Sequence, residues 1–268
     1  MKNKPLVSVL INNYNKENYC EKAVKSILSQ TYNNIEIIFA DDGSTDNSVN
    51  KIKRIKNKLG NKIKIIQTNN RGKIFSLNQL KIIRKSVYIC KGEVICILDS
   101  DDFFKKNKID KIVKFFKKNL HSEIVFDKPI IFKSRFDLEY IKNKYFMRSN
   151  KWPKIPPTSC ISFKKKSLKK NIDKIFLKNL DELWFDFRIS SFYALKINQF
   201  NLINEHLTFY RQNLFNYDKK YKKFINLAWW KRRHQAYKYI NIIDKNSYKK
   251  NFFSFDYIIT FLINRVFI

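Results

Sequence analysis

Three carboxylates crowd into four residues at Asp99-Ser100-Asp101-Asp102, directly after the apolar run Val94–Leu98. At neutral pH they repel one another unless water, a basic group or a cation compensates. A hard divalent ion does this well: Mg²⁺ or Mn²⁺ binds through one or two carboxylates and completes its shell with water and substrate phosphates. The other reading is an acidic turn that caps the next helix at Asn107. A second acidic turn, Asp41-Asp42-Gly43-Ser44, follows the apolar run Ile35–Ala40. A carboxylate there can accept a hydrogen bond from a base ring or a ribose hydroxyl, and Gly43 permits a turn closed to other residues. Ser44-Thr45-Asp46 can cap the following helix unaided, which leaves Asp41 and Asp42 without a structural task. A third turn, Asn12-Asn13-Tyr14-Asn15, offers amides and a ring to stack beside a nucleobase, or equally a local turn rich in Asn.

These turns can act together only if the intervening elements bring them to one edge. Leu6–Ile11, Ile35–Ala40, Ile63–Ile66 and Val94–Leu98 are short runs rich in Ile and Val, as expected of strands covered on both faces. Helical patterns at Glu17–Gln30 and Asp46–Leu59 separate them. The alternation predicts right-handed crossovers and a doubly wound, mostly parallel α/β sheet flanked by helices, with ligands at the carboxyl ends of the strands. Beyond Asp102 the pattern predicts a helix over Asn107–Asn119, strands at Glu123–Phe126 and Ile130–Phe132, and an irregular connection through Trp152–Pro157. A strand at Thr158–Phe163, a helix over Leu180–Leu195 and a strand at Leu202–Tyr210 follow. From Lys219 the composition shifts to Lys, Tyr, Trp and Phe, which predicts a helical C-terminal appendix.

The chain has 268 residues, 44% hydrophobic and 16% aromatic, which excludes a disordered polyelectrolyte despite a formal charge of +32. That charge attracts phosphates, nucleic acids or anionic lipid heads. Part of it accompanies an excess of residues with A/T-rich codons. The only glycines are Gly43, Gly60, Gly72 and Gly92, so neither GxGxxG nor a P-loop is present. Cys20, Cys90, Cys96 and Cys160 lack CxxC spacing and read as reduced, mostly buried residues of a cytosolic protein. His121, His206 and His234 form no ligand pattern. The first apolar run is too short for a signal peptide, and no run reaches the length of a membrane span.

Val7–Tyr14, Ser26–Tyr32, Asp41–Asp46 and Leu98–Asp102 together resemble the successive signatures of family 2 glycosyltransferases, in order and spacing over residues 5–102. The resemblance implies the GT-A fold, a nucleotide-sugar donor, with UDP expected, Mn²⁺ or Mg²⁺, and a glycan or lipid-linked acceptor in bacterial surface-polysaccharide assembly. It divides the chain into a catalytic domain over 1–215, with a donor half at 5–102 and an acceptor half at 103–215, and a basic aromatic region over 216–268. By the same resemblance Asn12, Tyr14, Asp42, Asn78, Asp99, Ser100, Asp101 and Arg211 bind the nucleotide-sugar. Asp101 is the metal ligand, and Asp102 shares the metal or orients Asp101. Pro157–Phe163 resembles the strand beside the acceptor. Asp181-Glu182 resembles the family's acidic helix start, which makes Glu182 the general base of an inverting transfer, with Asp181 in reserve and Asp186 behind both. The bland alternative for this pair is favourable charge at a helix N-terminus. Two departures stand out. About half a dozen extra residues between Asn78 and Gly92 leave open whether Lys73, Arg84 or Lys85 approaches the diphosphate, and Asn213 stands where the family often has His.

Trp229-Trp230-Lys231-Arg232-Arg233-His234 and the segment Phe252–Ile268 mix aromatic, aliphatic and cationic residues. They suit either an anionic membrane surface, placing the protein peripherally on the inner face of the cell membrane, or docking on the catalytic domain. A nucleic-acid-binding protein is the rival reading of the charge, and two acidic turns on one sheet edge argue against it. An inactive sugar-nucleotide-binding domain is the other.

Overall fold

The computed structural model describes residues 4–68, 72, 74–132, 138–140, 146–148, 151–177, 179–212, 224–244 and 254–267. Four parallel strands, β1 (Val7–Asn13), β2 (Ile35–Asp41), β3 (Ile63–Gln67) and β4 (Val94–Asp99), lie in the order β3-β2-β1-β4. Helices α1 (Cys20–Leu28), α2 (Ser48–Leu59) and α3 (Phe75–Ile89) make the crossovers. Successive side chains on a strand point to opposite faces, and the core divides accordingly. Leu10, Ile38, Ile95 and Ile97 pack with Leu80 and Ile83 of α3, whereas Val9, Ile11, Phe39 and Leu98 pack with Ala23 and Val24 of α1 and Ile52 of α2. Gly92 permits the closest backbone approach on this half: a Cβ there would lie 2.5 Å from the Ser8 amide nitrogen.

The second half is mixed. It comprises β5 (Phe103–Phe104), α4 (Lys108–Lys118), β6 (Ile124–Phe132), β7 (Leu138–Tyr140), β8 (Phe146–Arg148), β9 (Lys151–Lys154), β10 (Ile161–Lys164), α5 (Lys165–Ile175), α6 (Phe185–Ser191) and β11 (Leu202–Arg211). The sheet continues from β4 through β10, β6, β11 and β5, with β10 antiparallel to both neighbours and β6 parallel to β11. β7 extends β6, and β8 pairs with β9 in a separate ribbon.

Several elements differ from their sequence patterns. The two short strands expected at Glu123–Phe126 and Ile130–Phe132 are one strand, because β11 shifts register twice between Leu202 and Thr208 and so accommodates Asp127-Lys128-Pro129. Thr158–Cys160 forms a 3₁₀ turn before β10 rather than its first residues. The helix expected from Leu180 begins at Phe185 and widens into a π turn at Phe192–Lys196, since residues 180–184 are held by side chains from elsewhere. Lys151–Lys154 is a strand, not irregular chain. Helix α5 was not among the expected elements, although Leu168, Ile172 and Ile175 carry its helical spacing and are buried.

At the C-terminal end, α7 (Leu227–Ile243) and α8 (Phe255–Phe267) are the expected helices. α7 inserts Ala236, Tyr239, Ile240 and Ile243 into the same core as α3, α5 and α6. Among the described residues no helix is long and apolar enough to cross a membrane.

Candidate functional site

The carboxyl ends of β1, β2 and β4 meet because their registers align Asn12 with Asp99 and Asn13 with Asp41. A cleft of about 270 Å³ opens there, lined by Asn12, Asn13, Tyr14, Lys16, Asp42, Asp99, Ser100, Asp101, Tyr210 and Arg211, and by Phe75, Gln79, Ile82 and Trp184 on the facing wall. Seven of the residues expected to bind donor therefore lie together: Asn12, Tyr14, Asp42, Asp99, Ser100, Asp101 and Arg211.

Hydrogen bonds set the shape of each turn. Asp41 accepts from Asn13 Nδ2 at 2.7 Å, from the Ser44 amide at 2.9 Å and from the Ser44 hydroxyl at 2.5 Å. It thus has the structural task that the sequence left unassigned, closing the turn at Gly43, whose φ of 75° is readily adopted only without a Cβ. Asp42, next in the chain, is left on the cleft wall. Asn12 Nδ2 donates to Asp99 at 3.2 Å, while the Asn12 and Asn13 Oδ1 atoms are buried without a hydrogen-bond partner in the protein.

The three acids after β4 take different positions. Burial, and then the neighbouring Asp101 carboxylate, push the Asp99 carboxyl up to about 7. Asp186 also acts on it, which brings that acid within electrostatic reach of the cleft. Asp101 pairs with Lys16 Nζ at 2.5 Å. Burial pulls the Lys16 ammonium down, but Asp101 and then Asp99 and Asp102 outweigh this and hold it above its ordinary value. Asp102 is absent from the cleft lining. One of its oxygens accepts from the Ser159 hydroxyl at 2.5 Å and the other from the Arg211 amide at 2.7 Å, in a pocket whose burial raises its carboxyl well above the usual range. Its place is behind the turn, because both oxygens are engaged by the fold.

Ser159 also accepts from the Asp99 amide at 2.9 Å, so the 3₁₀ turn before β10 grips both ends of the acidic turn. Beneath it lies an ion pair with both side chains fully buried: Lys108 Nζ reaches Asp127 at 2.7 Å, the Ser159 carbonyl at 2.7 Å and Thr208 Oγ1 at 2.7 Å. Arg211 closes the cleft from β11. Its Nε donates to the Asp101 carbonyl at 3.2 Å, and its guanidinium lies over the rings of Tyr19 and Phe132, at 4.2 and 4.5 Å.

The expected acceptor-side acids lie outside the lining. Asp181 accepts hydrogen bonds from Gln235 and from Lys231, the latter at 3.1 Å, and Glu182 lies 3.8 Å from the same Lys231. Their turn is stabilised by Arg188, wholly buried, whose guanidinium donates to the carbonyls of Leu177, Leu180 and Leu183. Asn78 is buried too, and its amide donates to the Gly72 carbonyl at 2.5 Å, so it shapes the approach to α3 from outside the cleft. Of the basic candidates, Arg84 pairs with Asp173, Lys85 is exposed, and Lys73 falls outside the described residues. Lys16, Phe75, Gln79, Ile82, Trp184 and Tyr210 are cleft residues not anticipated from sequence, whereas Asn13 belongs to the turn that was. Only Lys16 had a legible signal, one residue past the Asn-rich turn.

The sequence model described as glycosyl transferase family 2 matches residues 8–181. An uncharacterized glycosyltransferase of Haemophilus influenzae is 40% identical over 121 residues, 45% of this chain and 36% of its own length. The glycosyltransferase GlyG of Streptococcus pneumoniae is 38% identical over 107 residues, 40% of this chain and 34% of its own. The match thus spans about a third of these relatives. Among solved structures, S. aureus TarS superposes with a TM-score of 0.66 at 18% identity, over 92% of this chain and 41% of that one. The mannosyltransferase PcManGT of Pyrobaculum calidifontis, in complex with GDP-Man and Mn²⁺, gives 0.53 at 16% identity, over 88% and 62%. Both likenesses concern the fold, which is GT-A with C-terminal helices.

Proposed function

The chain belongs to glycosyl transferase family 2, and from that premise we propose that it transfers a hexosyl unit from a nucleotide diphosphate to a hydroxyl of a glycan or lipid-linked acceptor, with inversion at the anomeric carbon. The observation that carries this reading is the convergence of Asp42, Asp99, Asp101, Lys16 and Arg211 on one cleft. Asp42 and the partnerless Oδ1 atoms of Asn12 and Asn13 can accept hydrogen bonds from a base ring and a ribose, with Tyr14 as a flanking ring. UDP is our choice of donor nucleotide; TarS structures with UDP and with UDP-GlcNAc support it by analogy of fold. Surface-polysaccharide assembly is the setting we propose. Residues 1–215 form the catalytic unit in this reading, and 216–268 brace it.

The donor set fits a hard divalent ion such as Mn²⁺ or Mg²⁺. Asp99 and Asp101 face the cleft together, and burial, then the Asp101 carboxylate, raises Asp99, while Lys16 pairs with Asp101. Among the described residues no three acidic, His or Cys side chains could hold an ion by themselves, so water and donor phosphate oxygens would complete its shell. Asp101, with Asp99 beside it, would hold the ion, and Asp102 would orient the turn from behind. When bound, the ion neutralises charge on the departing diphosphate. Arg211, anchored on the Asp101 carbonyl, presents a cation to the same phosphates.

Glu182 is the proposed base, taking the acceptor proton from the turn that also places Trp184 on the cleft wall. Calorimetric titration of UDP-sugars with and without Mn²⁺, followed by transfer assays, tests the whole. Asp101→Ala should abolish metal-dependent donor binding and transfer with the circular dichroism spectrum unchanged. Glu182→Gln should keep donor affinity and lower turnover by about 10²–10⁴-fold. Wild-type rates in both variants overturn the assignment, and a loss confined to Asp186→Asn moves the base to Asp186.

A further inference from the structure

Helix α8 leaves most of its apolar side chains exposed. A surface helix ordinarily buries its apolar stripe and exposes its polar one. Here the most buried residue is polar: Thr260 is 1% exposed, and Asn264 Nδ2 donates to the Trp230 carbonyl at 3.1 Å, with Tyr257, Ile259 and Ile263 half-buried beside them. Facing outward, Phe255 (77% exposed), Ile258 (45%), Leu262 (53%) and Val266 (68%) form one ridge at helical spacing, with Phe261 beside it. The helix pairs antiparallel with α7, as Trp230 meets Asn264 and Tyr237 meets Tyr257. That pairing brings the exposed Leu227 end of α7 beside the Val266 end of α8. An apolar face of this extent marks a surface that something covers.

The charges decide what does so. Arg265 stands exposed among the outward residues. Arg265 and Lys238 are the exposed cations of the two helices, whereas Lys231 pairs with Asp181 and the buried Arg233 with Asp256. A second copy related by a twofold axis would set Arg265 against the same guanidinium of its mate. A neutral apolar groove would strip water from Arg265 and return no counter-charge. An anionic lipid interface meets both needs: acyl chains take the ridge while the guanidinium rises to the phosphates. At roughly 1.5 Å per residue, α8 is too short to cross a bilayer, so it would lie in the plane.

We propose that the outward face of α8, continued by the start of α7, docks in the headgroup–acyl boundary of an anionic membrane. α7 also holds Asp181 and Glu182 through Lys231 and Gln235, so docking would keep the cleft near the lipid surface. That consequence, unlike the docking, rests on the transferase reading. The test is co-sedimentation of the full chain with vesicles of phosphatidylcholine alone and of an equimolar mixture with phosphatidylglycerol; it requires neither donor nor metal. Because the net charge alone attracts anionic vesicles, the deciding variant is Ile258→Asn with Leu262→Asn, which leaves charge unchanged. Wild type should bind the mixed vesicles and remain bound at about 0.5 M NaCl, where exposed charges are screened. The double variant, with an unchanged melting temperature, should bind at least about tenfold more weakly and be released by that salt. Arg265→Gln should weaken binding a few-fold. Three outcomes overturn the proposal: no binding by wild type, equal binding by the double variant, or a wild-type dimer that Leu262→Asn dissociates without any lipid binding.

Discussion

Removing Asp127 should destabilise the protein more than any substitution on the cleft surface. Its carboxylate is the counter-charge of Lys108, and both side chains are fully enclosed. In Asp127→Ala the ammonium keeps two neutral acceptors, the Ser159 carbonyl and the Thr208 hydroxyl, each at 2.7 Å. Breaking a buried pair from one side costs about 3–5 kcal/mol, because the remaining charge has lost its compensation. For a chain of this size that corresponds to a fall of about 6–20 °C in melting temperature. Replacing both partners by apolar residues, Lys108→Met with Asp127→Leu, removes the uncompensated charge and should recover most of the loss. Thermal and urea unfolding followed by circular dichroism measure each term of the cycle. A loss under about 1 kcal/mol for Asp127→Ala, or a double variant no better than the sum of the singles, would refute the reasoning.

Burial alone would raise the Asp181 carboxyl, but hydrogen bonds from Gln235 and Lys231 outweigh it and hold the group below its ordinary value. The stabilisation is therefore present above pH of about 3.9 and is lost as pH falls through the folded value. Asp181→Asn should cost about 1–3 kcal/mol at pH 7, and the two urea midpoints should converge in acid. Burial pushes the thiols of Cys20 and Cys96 up to about 11 and that of Cys90 to about 12, and all four cysteines are free and buried. A thiol reagent at neutral pH should leave the native protein unlabelled and modify four thiols after denaturation. Gly92→Ala should destabilise by about 1–3 kcal/mol, since its Cβ would meet backbone atoms of β1; an unchanged melting curve would show that β1 and β4 can part cheaply.

The strands β1, β2 and β4 were legible because parallel strands buried on both faces read as apolar runs, and the acids that follow β2 and β4 mark the sheet edge. The placement of Asn12, Asp42, Asp99 and Asp101 in one cleft follows from that pattern once the crossovers are right-handed. Helix α5 was legible as well, through Leu168, Ile172 and Ile175, and went unread within a run of lysines.

Three things lay beyond the sequence, each because it depends on contacts between distant segments. Lys16 becomes the partner of Asp101 across 85 positions. Asp102 turns inward because Ser159 reaches it from the 3₁₀ turn before β10 and Arg211 from β11, and nothing in a run of acids says which of them the core will claim. The pairing of Asp181 and Glu182 with Lys231 depends on where α7 docks. Local composition thus determined the parallel half-sheet, the acidic turns at its edge and the family they resemble. Tertiary packing alone decided which acids face the cleft, which turn into the core, and which apolar side chains of α8 stay outside, because burial is a property of neighbours, and those neighbours are far apart in the chain.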